Sequence, residues 1–373
     1  MNLSRSIQFL LDHDGDVLRY RLHKEILKDL TPAEEEAMLE RVLQAPHYQL
    51  LLRYVKPNGY IGLGMHSWDK FKETPLEDGE AAARLLAYYA IPKDWPIVKN
   101  MITALRDEQV LEEEFSYYKP EMDRFRNRFL GLKNGGGLMV LVYTCQALLG
   151  YGDEKEVQPF VNLSYEAFES LLQIQSLADI TTYKPQSKKK YNYPYLEEDV
   201  PFPCQYHLET LAYTRSWRSE EAVDTIVRAI NHHDRIMKEE NNVHVKIGSQ
   251  YYVPLWAYVR PFRAFDPQHV IRGEQMEVAQ RKTLTHLAMV GGKEIEVVQK
   301  TVEAVKAALA EDGVLRVKFE SPYRKRYFKE NMKYPGPYSE IALEPNHRTD
   351  TAIWCELTFW AVQLLHLLGE DLE

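Results

Sequence analysis

Apolar residues recur along the chain mainly at three- and four-residue spacing, the period of an amphipathic helix. Within 16–30, DVLRYRLHKEILKDL, the apolar side chains form one broad stripe, made by Val17, Leu18, Tyr20, Leu22, Ile26 and Leu27. Thr31 then supplies an N-cap, Pro32 suits the first helical position, and Glu34 adds an acidic side chain to the first turn. The pattern therefore predicts a helix over about 32–44.

A unit of two helices returns, with variations, along the rest of the chain. In each copy a first helix that is apolar nearly all round precedes a turn and a more charged, amphipathic helix. A helix that is apolar all round is buried, whereas one with a charged face is half-exposed. The alternation predicts an all-α fold, an α/α toroid of concentric inner and outer helices with roughly five to six helix pairs. The copies span 79–105, 136–174, 203–236 and 281–313, and 349–370 resembles the first half of another.

Two long loops rich in aromatic residues, 176–202 and 237–278, interrupt this pattern. The second loop alternates apolar and polar positions at Val243, Val245 and Ile247, which favours a short strand or an extended lid. Long ordered loops in a compact domain are more often functional than idle. Tyrosines between prolines in these loops suit a cover over an amphipathic ligand.

Composition excludes several classes of protein. The 373 residues are 45% hydrophobic and 27% charged, as in a folded globular protein, and the net charge of −9 argues against a nucleic-acid partner. Three cysteines without a CxxC pair fit a reducing compartment. The N-terminal stretch is too short and too charged for a signal peptide, and no apolar run reaches membrane-spanning length. We therefore expect a cytoplasmic protein without a membrane span; its oligomeric state is left open.

Three segments carry a resemblance to a known family: FLLDHDGDVLRYRLHKEIL at 9–27, KPNGYIG at 56–62 with HSWD at 66–69, and PCQYHLETL followed by RSEEAVDTIVRAI. With the repeats, they resemble the prenyltransferase and terpenoid-cyclase type of α/α toroid, especially bacterial members of similar length. The resemblance implies a single toroid domain over 1–373, with a helical lead-in at 1–55 and helix-pair repeats at 56–373. It also implies a ligand in the central lumen.

The chain departs from the family's best-known activities. Class II cyclases use an Asp-x-Asp-Asp acid, which is absent here. Protein prenyltransferases bind zinc through Asp, Cys and His, but Asp350 and Cys355 do not have that family's spacing. Neither the cyclase activity nor the protein prenyltransferase activity is therefore expected of this chain. A zinc-dependent prenyltransferase-like enzyme stays an alternative, and zinc is not excluded, although no cofactor is predicted.

In a toroid the inner helices begin at one end of the lumen, where unsatisfied N–H groups favour a negative or carbonyl oxygen. Polar residues in the first two turns of inner helices are therefore the best candidates for a site. Cys204 and His207 share a helix face and suit a zinc ligand pair or a thiol with a base, while Glu209 points elsewhere. The plainer interpretation is a buried thiol beside a hydrogen-bonded histidine.

The last helix supplies a second candidate group. Asp350 and Trp354 share one face, and Glu356 enters an otherwise apolar helix. A buried glutamate needs a partner or a raised pKa, so it is either a general acid or half of an ion pair with an arginine. The glycines after Asn134 suit an anion site or, more simply, a turn, and His232-His233 is predicted to lie on a solvated face.

The leading hypothesis is a protein that binds a small organic ligand in its lumen; whether it is an enzyme is left open. If it is one, we expect acid–base chemistry by His207, Asp350 and Glu356 without a nucleotide cofactor. The alternatives are a non-catalytic protein-interaction scaffold and a carbohydrate-active α/α barrel with paired carboxylates. The predicted ligand-binding residues are His66, Trp68, Asp69, Tyr143, Cys204, Tyr213, Arg348 and Trp354.

Overall fold

The computed structural model describes residues 3–65, 75–115, 131–183, 194–237, 244–247, 250–252, 275–316, 344 and 349–370. Most of these residues are helical, which confirms the predicted all-α class at the level of secondary structure. Within this part of the chain, no helix combines the length and the apolar character needed to cross a membrane. The α-helices are α1 Ser4–His13, α2 Asp16–Arg21, α3 Pro32–Leu43, α4 Pro46–Leu52, α5 Gly79–Tyr88, α6 Pro96–Arg106, α7 Glu108–Phe115, α8 Met139–Gln146, α9 Gln158–Glu169, α10 Gln205–Ala212, α11 Glu220–Ile236, α12 Gln275–Gly291, α13 Glu296–Leu309 and α14 Asp350–Leu367.

The chain divides into two compact units. The first unit comprises Met1–Arg106, Arg263–Ala288 and Val297–Glu373, and the second comprises Asp107–Phe262 and Met289–Glu296. Each unit has its own buried helices. The single toroid domain that the repeats predict stays a prediction.

The helices at the start of the first unit follow the sequence signals closely. α2 continues into a π-helical turn over Leu22–Leu27, which ends at Lys28 in a left-handed conformation. Thr31 caps α3 by accepting from the backbone of Glu34, whose side chain in turn accepts from the Thr31 backbone. This capping box, with Pro32 at the first helical position, confirms the helix predicted over about 32–44.

Fully buried and half-buried helices alternate, as the hydrophobic pattern predicts. In the first unit α5 buries every residue from Gly79 to Leu86, whereas α6 leaves Lys99 and Asn100 exposed. In the second unit all residues of α10 are buried, and the following α11 buries one stripe only. The buried stripe of α11 consists of Thr225, Ile226, Val227, Ala229, Ile230 and His233.

A small sheet in the second unit joins the two long loops. Strand β1, Tyr195–Glu197, pairs in parallel with β2, His244–Ile247, and β2 pairs antiparallel with β3, Gln250–Tyr252. Side chains of β2 alternate between half-buried and buried positions, so a strand at Val245 and Ile247 is confirmed, whereas Val243 lies outside the described residues. The loop segments 184–193 and 253–274 lie outside the described residues.

In the first unit, a tight turn fixes the start of α5. Tyr60 donates its hydroxyl hydrogen to the Gly64 carbonyl at 2.7 Å, and Leu63 N–H donates to the Glu77 carbonyl at 2.6 Å. Gly62 has φ +86°, and a Cβ atom there would lie 2.5 Å from the Glu77 carbonyl oxygen. Only glycine fits this position, because any side chain would meet the backbone that leads into α5.

Gly62→Ala should therefore lower the free energy of unfolding by about 2–4 kcal/mol, because it combines left-handed strain with a backbone clash. The control is Gly369→Ala, where φ is +72° and nothing lies within 4 Å of the added atom. Strain alone there should cost about 1 kcal/mol. Chemical denaturation followed by circular dichroism measures both, and equal losses would contradict the packing role of Gly62.

Candidate functional site

Three buried carboxyl groups of the first unit lie close to the turn between α1 and α2. Asp14 occupies that turn, and its side chain is fully buried. Glu344 is also buried and accepts a hydrogen bond from the Gly15 backbone N–H at 2.7 Å. Glu356 is buried on α14, which packs against α1 and α2. Gly15 and Glu344, 329 positions apart in the sequence, are thus in contact, and Glu356 lies on a helix that packs against the two helices flanking this turn.

The same carboxyl groups influence the pKa values of two further buried groups, the Cys355 thiol and the Tyr89 hydroxyl. Burial, together with the carboxylates of Glu344, Asp14 and Glu356, raises the pKa of the Cys355 thiol to about 12. Burial likewise raises the pKa of Tyr89, and Glu356 and Glu344 add to that effect. We call Asp14, Glu344, Glu356, Tyr89 and Cys355 the carboxylate cluster.

Asp14 is the member with the least satisfied side chain. Its Oδ1 accepts from Arg19 Nε at 2.9 Å and lies 2.8 Å from a second guanidinium nitrogen. Its Oδ2 is buried and has no hydrogen-bond partner within the described part of the chain. Burial raises the pKa of Asp14 to about 6, although the neighbouring Arg19 lowers it. The group can therefore exchange a proton near neutral pH.

Tyr89 links the carboxylate cluster to a histidine. Its hydroxyl lies 3.0 Å from Nδ1 of His47, and both residues are almost completely buried. A phenol whose pKa is raised stays protonated at neutral pH and can donate a hydrogen bond. The cluster therefore combines carboxyl groups with a neutral hydroxyl.

His207, a predicted catalytic residue, lies in the second unit and uses both ring nitrogens in backbone hydrogen bonds. Nδ1 accepts from Cys204 N–H at 3.0 Å, and Nε2 lies 2.7 Å from the Leu132 carbonyl, to which it donates. The ring also contacts Phe160, with centroids 5.4 Å apart. Burial lowers the pKa of His207 to about 4, so the ring is neutral at pH 7. These contacts match the plainer interpretation, a structural histidine.

Cys204 is equally enclosed. It is the N-cap of α10, and its sulfur accepts from the backbone of His207. Burial raises the pKa of its thiol to about 12, which leaves it unreactive as a nucleophile. Among the described residues, no group of three or more His, Cys, Asp or Glu has the arrangement of a metal site.

The other predicted site residues are dispersed. Tyr143 stacks on Phe160 at 5.3 Å, and Tyr213 ends α10 as its C-cap. Asp350 is the first residue of α14, and Trp354 lies beneath Arg316 at 4.7 Å from the ring centroid. Glu356 alone joins the carboxylate cluster. Four predicted residues lie outside the described residues, namely His66, Trp68, Asp69 and Arg348.

The glycine-rich segment after Asn134 is a structural turn. The Asn134 amide donates to the carbonyls of Glu197, Glu198 and Val200, at 3.0–3.2 Å, and its oxygen accepts from Gly136 N–H. Gly135 has φ +74°, and a Cβ atom there would lie 2.5 Å from the Cys204 sulfur. Conformation and close packing therefore account for these glycines.

His233 overturns an expectation. The solvated face predicted for His232-His233 is wrong for His233, which is fully buried 5.6 Å from the Phe202 ring. Neither of its ring nitrogens has a hydrogen-bond partner within the described residues. Burial lowers the pKa of His233 to about 3, which keeps the ring neutral. His232 is half-buried and bonds the Ile174 carbonyl at 2.8 Å.

Sequence reasoning missed Asp14, Glu344 and Tyr89. Asp14 belongs to the run Asp12-His13-Asp14-Gly15-Asp16, where a Gly after an acidic residue marks a turn between two apolar stripes. That signal could have placed a carboxylate at a helix junction. Glu344 has no such signal, because its neighbours show no periodic pattern.

No protein-family model, curated protein or solved structure matches this chain. The resemblance to α/α toroids therefore stays a prediction from the sequence. The function has to be inferred from the chemistry of the side chains.

The pKa of His207 predicts how replacing it acts on stability. His207→Ala removes two hydrogen bonds and an aromatic contact, so it should lower the free energy of unfolding at pH 7 by about 2–4 kcal/mol. Its folded pKa of about 4 lies below the ordinary 6.5. The stability it contributes is thus complete above pH 6.5 and is lost as the pH falls toward 4. Denaturation at pH 7, 5.5 and 4.5 should show the difference shrinking.

The control for this measurement is His13→Ala, at an exposed histidine of α1, which should change stability little at every pH. A His207→Ala deficit that stays constant across this pH range would contradict a buried, neutral His207.

The stability that Asp14 contributes should depend on pH in the opposite direction to that of His207. Its folded pKa of about 6 lies above the ordinary 3.8, so the native state binds more protons than the unfolded chain between these values. Stability from Asp14 is therefore complete below pH 3.8 and is lost as the pH rises through 6. Relative to Asp14→Asn, the wild type should lose up to about 3 kcal/mol between pH 4 and pH 7.

Asp12→Asn removes an exposed carboxylate from the same helix and is the matched control. It should lack this pH-dependent difference. A difference between wild type and Asp14→Asn that rises with pH would show that Asp14 is stabilised as an anion, contrary to the burial seen here.

Proposed function

We propose that this chain binds a small organic ligand at the carboxylate cluster, and that the ligand offers hydrogen-bond donors or a positive charge. The observation that supports this most directly is Asp14 Oδ2, which is buried without a partner among the described residues. A buried polar atom left unsatisfied costs free energy, and a carboxylate costs more than a neutral group. A donor from a ligand would remove that cost.

The cluster also has the means for acid–base chemistry. Asp14, with a pKa of about 6, is able to give or take a proton near neutral pH. The charges of Glu356 and Glu344 act on Tyr89, whose neutral hydroxyl lies 3.0 Å from Nδ1 of His47. Carboxyl groups in unlike environments are a common basis for assigning acid and base roles. Of the residues predicted from sequence, Glu356 keeps its role, and Asp14 takes the place proposed for His207.

The proposal includes the arrangement of the helices, which we propose is an α/α toroid. Alternating buried and half-buried helices in each unit support concentric rings, although the ring itself is inferred from the repeats. Glu356 lies in the second turn of a helix that is buried on most sides. In a toroid such a position faces the lumen near the start of an inner helix. Three buried, free cysteines suit the cytoplasm proposed for the protein.

A carbohydrate-active barrel is the second candidate. The observation that favours it is the presence of several buried carboxyl groups, one of which has a raised pKa, as a general acid requires. This function would use a glycoside as the substrate and water as the co-reactant, which cleaves the glycosidic bond and leaves a hydroxyl group on each of the two products. It is a narrower form of the same proposal.

Native mass spectrometry of the protein isolated from its own cells tests the proposal. Wild type and the control Asp12→Asn should carry a non-covalent small molecule that denaturation releases. Asp14→Asn and Glu356→Gln should lose it, because each removes a carboxylate that the ligand needs.

Retention of the same molecule by all four proteins would contradict the assignment of the site. If none of them carries a molecule, thermal unfolding with a panel of amines and polyols decides. The proposal requires at least one compound that stabilises wild type and Asp12→Asn but does not stabilise Asp14→Asn or Glu356→Gln. If no compound behaves in this way, the proposal is refuted.

A further inference from the structure

The second unit contains an open cleft that is rich in charged side chains. Its volume is about 540 Å³, within the range of small-molecule sites. One wall is a stripe of α11, and the facing side includes the segment after α9 and the first residue of α13. The lining residues are Leu172, Gln175, Arg228, Asn231, His232, Arg235 and Glu296.

Side chains of opposite charge line this cleft, and two of them, Arg235 and Glu296, form neither a side-chain hydrogen bond nor an ion pair within the described part of the chain. Arg228 is engaged on one side only, through Asp224 at 2.8 Å and the Thr225 hydroxyl at 3.3 Å. The cleft thus offers guanidinium donors and a carboxylate acceptor at the same time.

Hydrogen bonds to the backbone hold the two sides of the cleft in place. Asn231 accepts from Glu296 N–H at 3.0 Å and donates to the Glu294 carbonyl at 3.1 Å. His232 Nε2 lies 2.8 Å from the Ile174 carbonyl, to which it donates, and this leaves Nδ1 as an acceptor. A cleft fixed in this way needs little ordering when a ligand binds.

We propose that this cleft binds a small zwitterion, that is, an amino acid or a short peptide with free ends. The ligand carboxylate would bind Arg235 and Arg228, since a guanidinium and a carboxylate form paired, charge-assisted hydrogen bonds. The ligand ammonium would bind Glu296. A ligand with only negative charge would meet Glu296 unfavourably, and one with only positive charge would meet the arginines. Complementary charge therefore selects a molecule that carries both.

Three peptides test this charge requirement directly. Triglycine has both charged ends, N-acetyl-triglycine lacks the ammonium, and triglycine amide lacks the carboxylate. In amide-proton NMR titrations of the full chain, triglycine should shift the signals of Asn231 and its neighbours. Each blocked peptide should bind about tenfold more weakly or worse, because one charge-assisted contact is lost.

Variants then locate the binding site. Arg235→Gln and Glu296→Gln should each weaken triglycine binding about tenfold, and Arg235→Gln should discriminate triglycine from its amide less than wild type does, because only Arg228 remains to bind the carboxylate. Both residues line an open cleft, so these variants should fold normally. Glu303→Gln is the control, since its side chain is 75% exposed on the same helix as Glu296. Equal binding of the three peptides, no binding of triglycine, or shifts outside the cleft would each overturn the proposal.

Discussion

Helices without a solvent-facing side impose the constraint on which this structure depends, because their polar side chains need partners inside the protein. In α10, His207 meets this need through the Leu132 carbonyl and Cys204 N–H, and Thr210 through the Thr144 hydroxyl at 3.1 Å. In α5, Glu80 pairs with Arg84 at 2.8 Å, and both side chains are only 1% exposed. The Leu132 and Thr144 partners tie neighbouring segments to α10, whereas the Glu80–Arg84 pair lies within α5, so the need to satisfy polar groups also determines local geometry.

Asp14 and His233 are among the buried groups of the described residues that do not meet this constraint, and they differ in consequence. His233 is neutral and lies against Phe202, so its unsatisfied nitrogens cost only the hydrogen bonds that water would make. Asp14 is a carboxyl group, for which burial of the charged form is far more costly. Arg19 compensates one oxygen, yet the pKa still rises to about 6. The carboxylate is therefore the better candidate for ligand chemistry.

The sequence predicts the local features of this fold well. Periodicity and the Thr31–Glu34 signal locate α3, and an acidic residue in an apolar helix identifies Glu356 as a buried group that needs an explanation. The same periodicity, applied strictly, would also have placed His233 in the core, since it follows Ile226 and Ile230 on one stripe of α11. Residue type alone favours a solvated histidine, whereas the spacing indicates a buried one.

The rest depends on contacts between distant segments, which spacing does not encode. Glu344 reaches the Gly15 backbone across 329 positions, and nothing in the neighbouring residues of either one indicates this contact. The role of His207 likewise depends on the Leu132 carbonyl, 75 positions away. A histidine whose two ring nitrogens are occupied and one that is ready for catalysis look identical in a sequence. Only the partners of a side chain separate structural groups from chemically available ones. By that criterion Asp14 in the first unit, and Arg235 with Glu296 in the second, are available among the described residues.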